Sequence, residues 1–389
     1  MTDEQLPKGW QMVRFGDIAE QISKRVEPSK TALEVYIGLE HLDPDSLKIK
    51  RHGVPSDVSG QKLLVKKGQI IFGKRRAYQR KVGVADCDCI CSAHAMVLEA
   101  IKEKVIPEFL PFFMQSDVFM ERAIAVSEGS LSPTIKWKVL SEQKFCFPSK
   151  EQQAELLNLI IGAEGALNSA KALRLSFERL QIAISNQYLT GVKRLPSTSG
   201  KWRSLKLKEI GVFKSGLTYS PNDVTQNKEA LLVLRSSNIK DSNFVLEDNV
   251  YVNCKVKDES LAQPNDILIC VRNGSKHLIG KTALVTGAAP HATHGAFMSL
   301  YRTDDYRFIF HLFQSPVYRK QVLRNLGATI NSINGKDLSN FKFMMPERVE
   351  RELISDFLEK FDVTANDIAE KIRYAKNIKQ LLLSRIFKV

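Results

Sequence analysis

The chain has 389 residues, 43% of them hydrophobic and 26% charged, with a formal net charge of +14. That length and composition suit an ordinary globular protein of two or three domains and exclude a disordered or fibrous chain. The basic surplus favours a polyanionic partner, and no run approaches the ~18 apolar residues of a membrane span.

In chain order, residues 1–150 carry short apolar runs separated by turn signals. Leu63–Val65, Ile70–Phe72 and Ala95–Leu98 read as strands, with one helical segment over 107–126. Cys87, Cys89 and Cys91 alternate, a spacing too tight for the usual zinc pairs, and are read as strand packing. Residues 151–191 contain no proline and have a helical period, with Leu157, Ile160, Leu167, Leu173, Phe177, Leu180, Ile184 and Tyr188 as their apolar seam. A linker follows over 192–199. Residues 200–347 return to short strands, at Leu231–Leu234 and Asp266–Ile269, with a helical segment over 305–326. Residues 348–389 form a last helix. Ile354, Leu358, Phe361, Ala365, Ile368, Ile372 and Ala375 alternate steps of four and three, and Leu382 and Ile386 resume the seam after Lys379. Each helix would be ~55–60 Å long at ~1.5 Å per residue. Such lengths exceed one small domain, so the two helices are expected to pair with each other.

The chain is also written twice. KGWQMVRFGDI (8–18) matches GKWRSLKLKEI (200–210), GQIIFGKR (68–75) matches NDILICVR (265–272), and FLPFFMQSDV (109–118) matches FIFHLFQSPV (308–317). FCFP (145–148) falls on FMMP (343–346). The matches keep their order at a separation near half the chain, so the repeat unit is a whole domain plus a helix, diverged most in its middle.

The candidate chemistry lies in matched loops. After the strand at 69–72, Lys74, Arg75, Arg76, Arg80 and Lys81 surround Tyr78 with no acid among them. Basic residues neutralise phosphates, and arginine pairs bidentately with guanine. The equivalent loop carries Arg272, Asn273, Ser275 and Lys276, and an asparagine amide suits adenine. A second pair of loops is dense in hydroxyls and amides: Ser130, Ser132, Thr134 and Lys136 in one, Thr329, Asn331, Ser332 and Asn334 in the other. Turn capping is the plainer role for these. His94 and His294 open a third pair and are weaker candidates for contact.

Enzyme signatures do not emerge. Gly274–Thr282 reads GSKHLIGKT, but a phosphate-binding loop needs four residues between its glycines and here there are five. Glycine-rich cofactor fingerprints, zinc-protease helices, nucleophile elbows and the Asn-Pro-Pro-aromatic tetrapeptide of amino methyltransferases are missing. Neither a catalytic residue nor a resident metal is expected.

YIGLEHLDPDSL (36–47), GQIIFGKRRAYQRKVGVAD (68–86), SEGSLSPTIKW (127–137), NDILICVRNGSKHLIGK (265–281) and ATINSINGKDL (328–338), in this order and duplicated around helical spacers, resemble the specificity subunits of type I restriction–modification enzymes. The resemblance covers nearly the whole chain. It implies an α+β fold: two similar mixed α/β target-recognition domains (1–150 and 200–347) separated by two long antiparallel helices (151–191 and 348–389) that form a coiled coil. It implies further that each domain reads one half of a split double-stranded DNA target. The helices would set the gap and dock two modification subunits, with restriction subunits as optional further partners. S-adenosylmethionine, and ATP with Mg where restriction subunits join, would sit in those partners, with no cofactor in this chain. The N-terminus, with Asp3 and Glu4 and no apolar core, is no signal peptide, so a cytoplasmic location without membrane contact is expected. The alternatives are the specificity subunit of a related type II system, a self-contained DNA enzyme with scattered carboxylates, and a scaffold that binds no DNA.

Overall fold

The structure, a computed structural model, describes residues 6–44, 46–196, 198–214, 216–287, 291–326 and 331–387. The chain divides into two units, Met1–Ala172 with Glu370–Val389, and Leu173–Ala369. Each unit therefore holds one repeated domain and one end of each long helix.

In the first unit the strand Trp10–Arg14 pairs antiparallel with Lys144–Pro148, so the two ends of the domain close on each other. A four-stranded antiparallel sheet follows, in the order Ala19–Ile22, Met96–Ala100, Ile70–Phe72, Val82–Val84. A second sheet runs Arg25–Val26, Lys62–Val65, Cys89–Cys91, Tyr36–Ile37, with its last two strands parallel. Cys89 and Cys91 are buried in the core beneath it, and burial pushes the Cys89 thiol up to about 12. The main core gathers Phe15, Phe72, Phe109, Phe113, Phe119, Phe145 and Phe147. Aromatic rings bring the largest apolar areas per residue, which suits a core built from short strands.

The second unit repeats the plan. Arg203–Lys206 pairs with Lys342–Met345. The first sheet runs Val212–Lys214, Met298–Arg302, Ile267–Cys270, Thr282–Leu284, strand for strand as before. The other sheet differs. Its order is Val224–Thr225, Val250–Val252, Leu231–Leu234, Ala292–His294, so the two parallel strands have exchanged places. The middle of the repeat has thus changed in topology as well as in sequence.

Two expectations need correction. The single helical segment at 107–126 is two helices, Phe109–Gln115 and Asp117–Ala125, and its counterpart is Tyr306–Phe313 and Pro316–Arg324. The break falls at Ser116 and at Ser315, each buried, and each hydroxyl accepts the backbone N–H three residues on, from Phe119 and Tyr318. A serine at an N-cap satisfies a helix donor that would otherwise be left without a partner, so it starts a new helix rather than continuing an old one.

The second correction concerns the seam. The long helices are Lys150–Leu189 and Arg348–Ile386. In the first unit Leu157 and Ile160 of one meet Leu383 of the other, together with Phe387 just beyond it, on the domain core. Phe387 lies 5.5 Å from Phe109 and 5.1 Å from Phe113. Further along, Glu164 pairs with Lys379, which is buried at the seam position between Ala375 and Leu382. In the second unit Gln181 donates to Asp362 at 2.8 Å, and Tyr188 stacks beside Phe357 at 4.9 Å. Residue numbers rise on one helix as they fall on the other, which is antiparallel pairing. The line facing the partner therefore runs through Glu164, Leu167, Gln181 and Tyr188. Leu173 and Leu180 are about half exposed, at 52% and 51%, and are not seam residues. The inward line mixes polar with apolar residues, Glu164 and Gln181 among Leu167, Phe177 (6.0 Å from Phe361) and Tyr188, so leucine alone does not mark it.

The central helix ends at Gly191, whose φ of +73° is a left-handed cap that suits glycine; a Cβ there would also crowd the Trp202 ring at 3.1 Å. Arg194 then grips the buried Glu350 through two bonds of 2.9 and 2.5 Å.

Candidate nucleic-acid interface

In the first unit the fully buried strand Ile70–Phe72 delivers the chain to the basic loop. Gly73 N donates to Lys81 O at 2.9 Å and closes that loop at its base. Arg76 and Arg80 both take the left-handed conformation, at φ of 56° and 55°, and frame a single turn over Ala77–Gln79. Left-handed non-glycine residues cost about 1–2 kcal/mol each. The turn is held by buried Ala77 and by the loop at 128–135. Arg76 N donates to Pro133 O at 2.7 Å, Ile135 N donates to Lys74 O at 3.0 Å, and Arg75 bridges Thr134 antiparallel.

The second unit rebuilds this frame with other side chains. Strand Ile267–Cys270 leads into the loop, and Cys270 N donates to Lys281 O at 2.9 Å. Ile333 N donates to Val271 O at 2.9 Å, and Arg272 bridges Ser332 antiparallel. Arg75 and Arg272 thus hold equivalent places, each at the mouth of a buried strand and each tied to a hydroxyl-bearing loop. The two candidate loops that the sequence kept apart are one surface in each unit.

The remaining candidates divide. Arg76 is exposed, with Nε 3.2 Å from Ser132 Oγ, and Tyr78 is 54% exposed beside it. Ser130 is exposed, while Thr134 is half-buried and its hydroxyl donates to Ser132 O at 3.2 Å. Lys136 pairs with Glu128 at 2.6 Å on the surface. Lys74 is half-buried, and burial followed by the nearby Arg25 lowers its pKa. Asn273 donates to Ser236 Oγ at 3.2 Å and Asn331 to Gly274 O at 2.9 Å, while Ser275 and Lys276 stay exposed. Thr329 lies outside the described residues.

Four assignments are corrected. Arg80 turns back into its own unit, donating to Gln115 O at 2.9 Å and pairing with Asp117 at 2.8 Å. A cation suits that carbonyl because it closes the helix Phe109–Gln115. Lys81 likewise donates to Leu39 O at 2.7 Å. Asn334 caps the helix Gly335–Ser339, accepting from Asp337 N at 2.8 Å and donating to its carboxylate at 2.6 Å. His294 is wholly buried, with Nε2 3.1 Å from Lys214 O, and burial holds its pKa down to about 4. It is a neutral core histidine that reaches no outside ligand.

Two exposed apolar residues were missed. Leu131, at the tip of the loop that carries Ser130 and Ser132, is 91% exposed. Phe297 is 57% exposed, and the Arg272 guanidinium lies 5.4 Å from its ring centroid. Strand parity gave no signal for Phe297, because it precedes the strand Met298–Arg302 and Tyr301, of the same parity, is wholly buried. Phe297 also lines a cavity of about 500 Å³ with Tyr219, Arg235, Ser236, Arg272 and Asn273. Apolar groups beside arginine suit thymine methyls and base steps as well as core packing. Among the described residues no cluster of three or more His, Cys, Asp or Glu is placed to hold a metal ion, and no helix is long and apolar enough to cross a membrane.

Residues 7–159 and 199–375 match the family model of the type I restriction modification DNA specificity domain, once for each repeat. The chain belongs to that family. Among curated relatives, it is 26% identical over 166 residues to the type I restriction enzyme StySPI specificity subunit of Salmonella potsdam. It is also 26% identical over 165 residues to the EcoKI specificity subunit of Escherichia coli K12. Each match covers 41% of this chain and 35% of the relative, so the chain spans about a third of the length of the curated relatives it matches. A chain from a solved structure concerned with complex assembly and conformational transition of the type I R-M system superposes with a TM-score of 0.65. That likeness holds at 21% identity over 97% of both chains and shows the shared fold.

Proposed function

We propose that this chain is the DNA-reading specificity subunit of a type I restriction–modification system, each unit reading one half of a bipartite duplex target. The observation that carries this reading is the duplicated frame: Arg75 bridged to Thr134 and Arg272 bridged to Ser332, one backbone scaffold presenting two different sets of side chains. The net charge of +14 supports a phosphate-rich partner. Arginine at the mouth of each frame supplies the bidentate donor that distinguishes guanine.

The long helices set the gap between half-targets and carry the modification subunits. Support for docking comes from the side of Lys150–Leu189 turned away from the seam, where Leu159, Leu173 and Leu180 are all half exposed or more. Leu159, Leu173 and Leu180 lie on a seven-residue spacing with Ala166 between the first two. An unpartnered apolar stripe of that period suits another helix. On this reading the chain catalyses nothing. Two modification subunits bring S-adenosylmethionine and methylate adenine, and any restriction subunits bring ATP and Mg. The chain works in the cytoplasm, where its DNA is.

The test is single-molecule sequencing of methylated adenines in host DNA, with residues 1–150 replaced by those of a relative. One half of the methylated target should change and the other should stay. A change in both halves, or in neither, would overturn the modular reading. Methyl transfer by the purified chain without partners would favour a self-contained enzyme instead.

A further inference from the structure

The two reading arginines share a backbone frame but are backed by different chemistry. Arg75 N donates to His94 O at 3.3 Å, and Arg75 Nη1 lies 3.2 Å from His94 Nε2. A guanidinium has only donors, so Nε2 must accept, and the ring proton sits on Nδ1. Arg272 N donates to Phe297 O at 3.0 Å, and its guanidinium lies against the Phe297 ring. Both backing residues precede equivalent strands, Met96–Ala100 and Met298–Arg302. Bidentate pairing with guanine needs the fork held at one angle, so whatever stands behind the arginine decides whether both bonds form.

Resting on the DNA-reading function above, we propose that His94 and Phe297 are the positioning residues that aim Arg75 and Arg272, so that acid abolishes base choice by the first unit and spares that of the second. A neutral imidazole accepts the Arg75 hydrogen bond. An imidazolium has no acceptor, and it repels the guanidinium. A phenyl ring does not titrate.

The groups that shift His94 favour the neutral form. Burial lowers its pKa first, and Arg75, Lys74 and Lys62, all cations, lower it further. The remaining contact is Ser92 Oγ, which accepts from His94 N at 3.2 Å. The ring is therefore neutral above its lowered pKa and charged below it. DNA phosphates favour the charged ring, so acid costs the first unit its selectivity and not its affinity for DNA in general.

The experiment selects from a randomised duplex library with the full chain, purified with any subunits it carries, at about pH 7.5 and at about pH 4, well below the ordinary histidine range because the His94 pKa is lowered. Both half-targets should emerge at the higher pH. At the lower, enrichment of the preferred base should fall ~10-fold in one half only, the discrimination expected of one bidentate pair. His94→Ala should lose that preference at both pH values. His94→Gln, which keeps a neutral acceptor, should restore part of it and make it independent of pH. Phe297→His should give the second half the same acid sensitivity. Equal responses of the two halves, no response in either, or a pH dependence that survives in His94→Gln would overturn the positioning role. If no sequence emerges at either pH, the DNA-reading function itself fails.

Discussion

Replacing Asp266 by Asn separates the frame of the second unit from its reading head. Asp266 opens the strand Ile267–Cys270, and Arg302 ends the neighbouring strand Met298–Arg302. The Asp266 side chain is 1% exposed. It accepts two bonds of 2.7 Å from Arg302 and one of 2.8 Å from Gln263 N. Arg272 and Phe297 lie at the other end of the same strand pair, roughly 17–20 Å away at ~3.3 Å per residue. Breaking a buried ion pair from one side costs about 3–5 kcal/mol. The Arg302 side chain keeps 26% of its surface in water. The amide oxygen of Asn also keeps one acceptor, so the lower end, about 3 kcal/mol, applies. For a unit of this size that is a fall in melting temperature of roughly 6–12 °C. Arg272→Ala should do the reverse. Its side chain is exposed, so stability should move by ~1 kcal/mol or less, while one target position relaxes by ~1–3 kcal/mol. Calorimetry and library selection on the same two proteins give both readouts. If Asp266→Asn changes base choice while folded, or Arg272→Ala melts the unit, frame and reading head are not separate.

Leu131→Ser should weaken binding to one half-target several-fold and leave melting within ~0.5 kcal/mol, because the side chain is almost wholly in solvent; unchanged binding would remove Leu131 from the interface. Leu173→Glu with Leu180→Glu should abolish co-purification of the modification subunits while helicity by circular dichroism stays, since neither residue lies in the seam; retained assembly would refute docking on that stripe. Three heptads added to each long helix keep the seam in register and add ~31 Å, roughly nine base pairs or nearly one DNA turn. The preferred gap, measured on a series of targets, should lengthen accordingly; preference for the original gap would show that the helices do not set it.

What the sequence made legible was whatever repeats or has a period. The repeat matches KGWQMVRFGDI with GKWRSLKLKEI and FCFP with FMMP fall on the two closing strand pairs, although the repeat itself did not say that those segments pair. The C-terminal seam from Ile354 to Ala375 also falls on the sheltered side of its helix. The central seam was misread at Leu173 and Leu180 because its inward line takes in polar residues, with Glu164 and Gln181 facing Lys379 and Asp362 between apolar contacts such as Phe177 with Phe361. Charge counting found the basic loop but not the direction of each side chain. Arg80 and Lys81 point inward to carbonyls supplied by residues distant in sequence, and no local pattern reports that. His294 was misplaced for a related reason. It ends the strand Ala292–His294, whereas His94 precedes the strand Met96–Ala100, so the two histidines occupy different steps of the repeat.

On the proposed function, the frame would also let base choice change without refolding. The bonds that hold the loops are backbone bonds: Gly73 to Lys81, Arg76 to Pro133, Ile135 to Lys74, and in the other unit Cys270 to Lys281 and Ile333 to Val271. None depends on the side chain at the mouth of the strand. The anchors beneath, Ile135 and Ile333, are buried and apolar in both units. The exposed side chains at 131, 272 and 297 are therefore free to vary at small cost, since exposed substitutions shift stability by only ~0.5 kcal/mol. The same freedom accounts for the divergence between the two units. Lys74–Arg75–Arg76 stands where Val271–Arg272–Asn273 stands in the other, and His94 precedes one strand where Phe297 precedes its equivalent. On the proposed function, a backbone frame shared by the two units with different surface side chains would let one architecture read two different half-targets, with stability and base choice resting on different atoms.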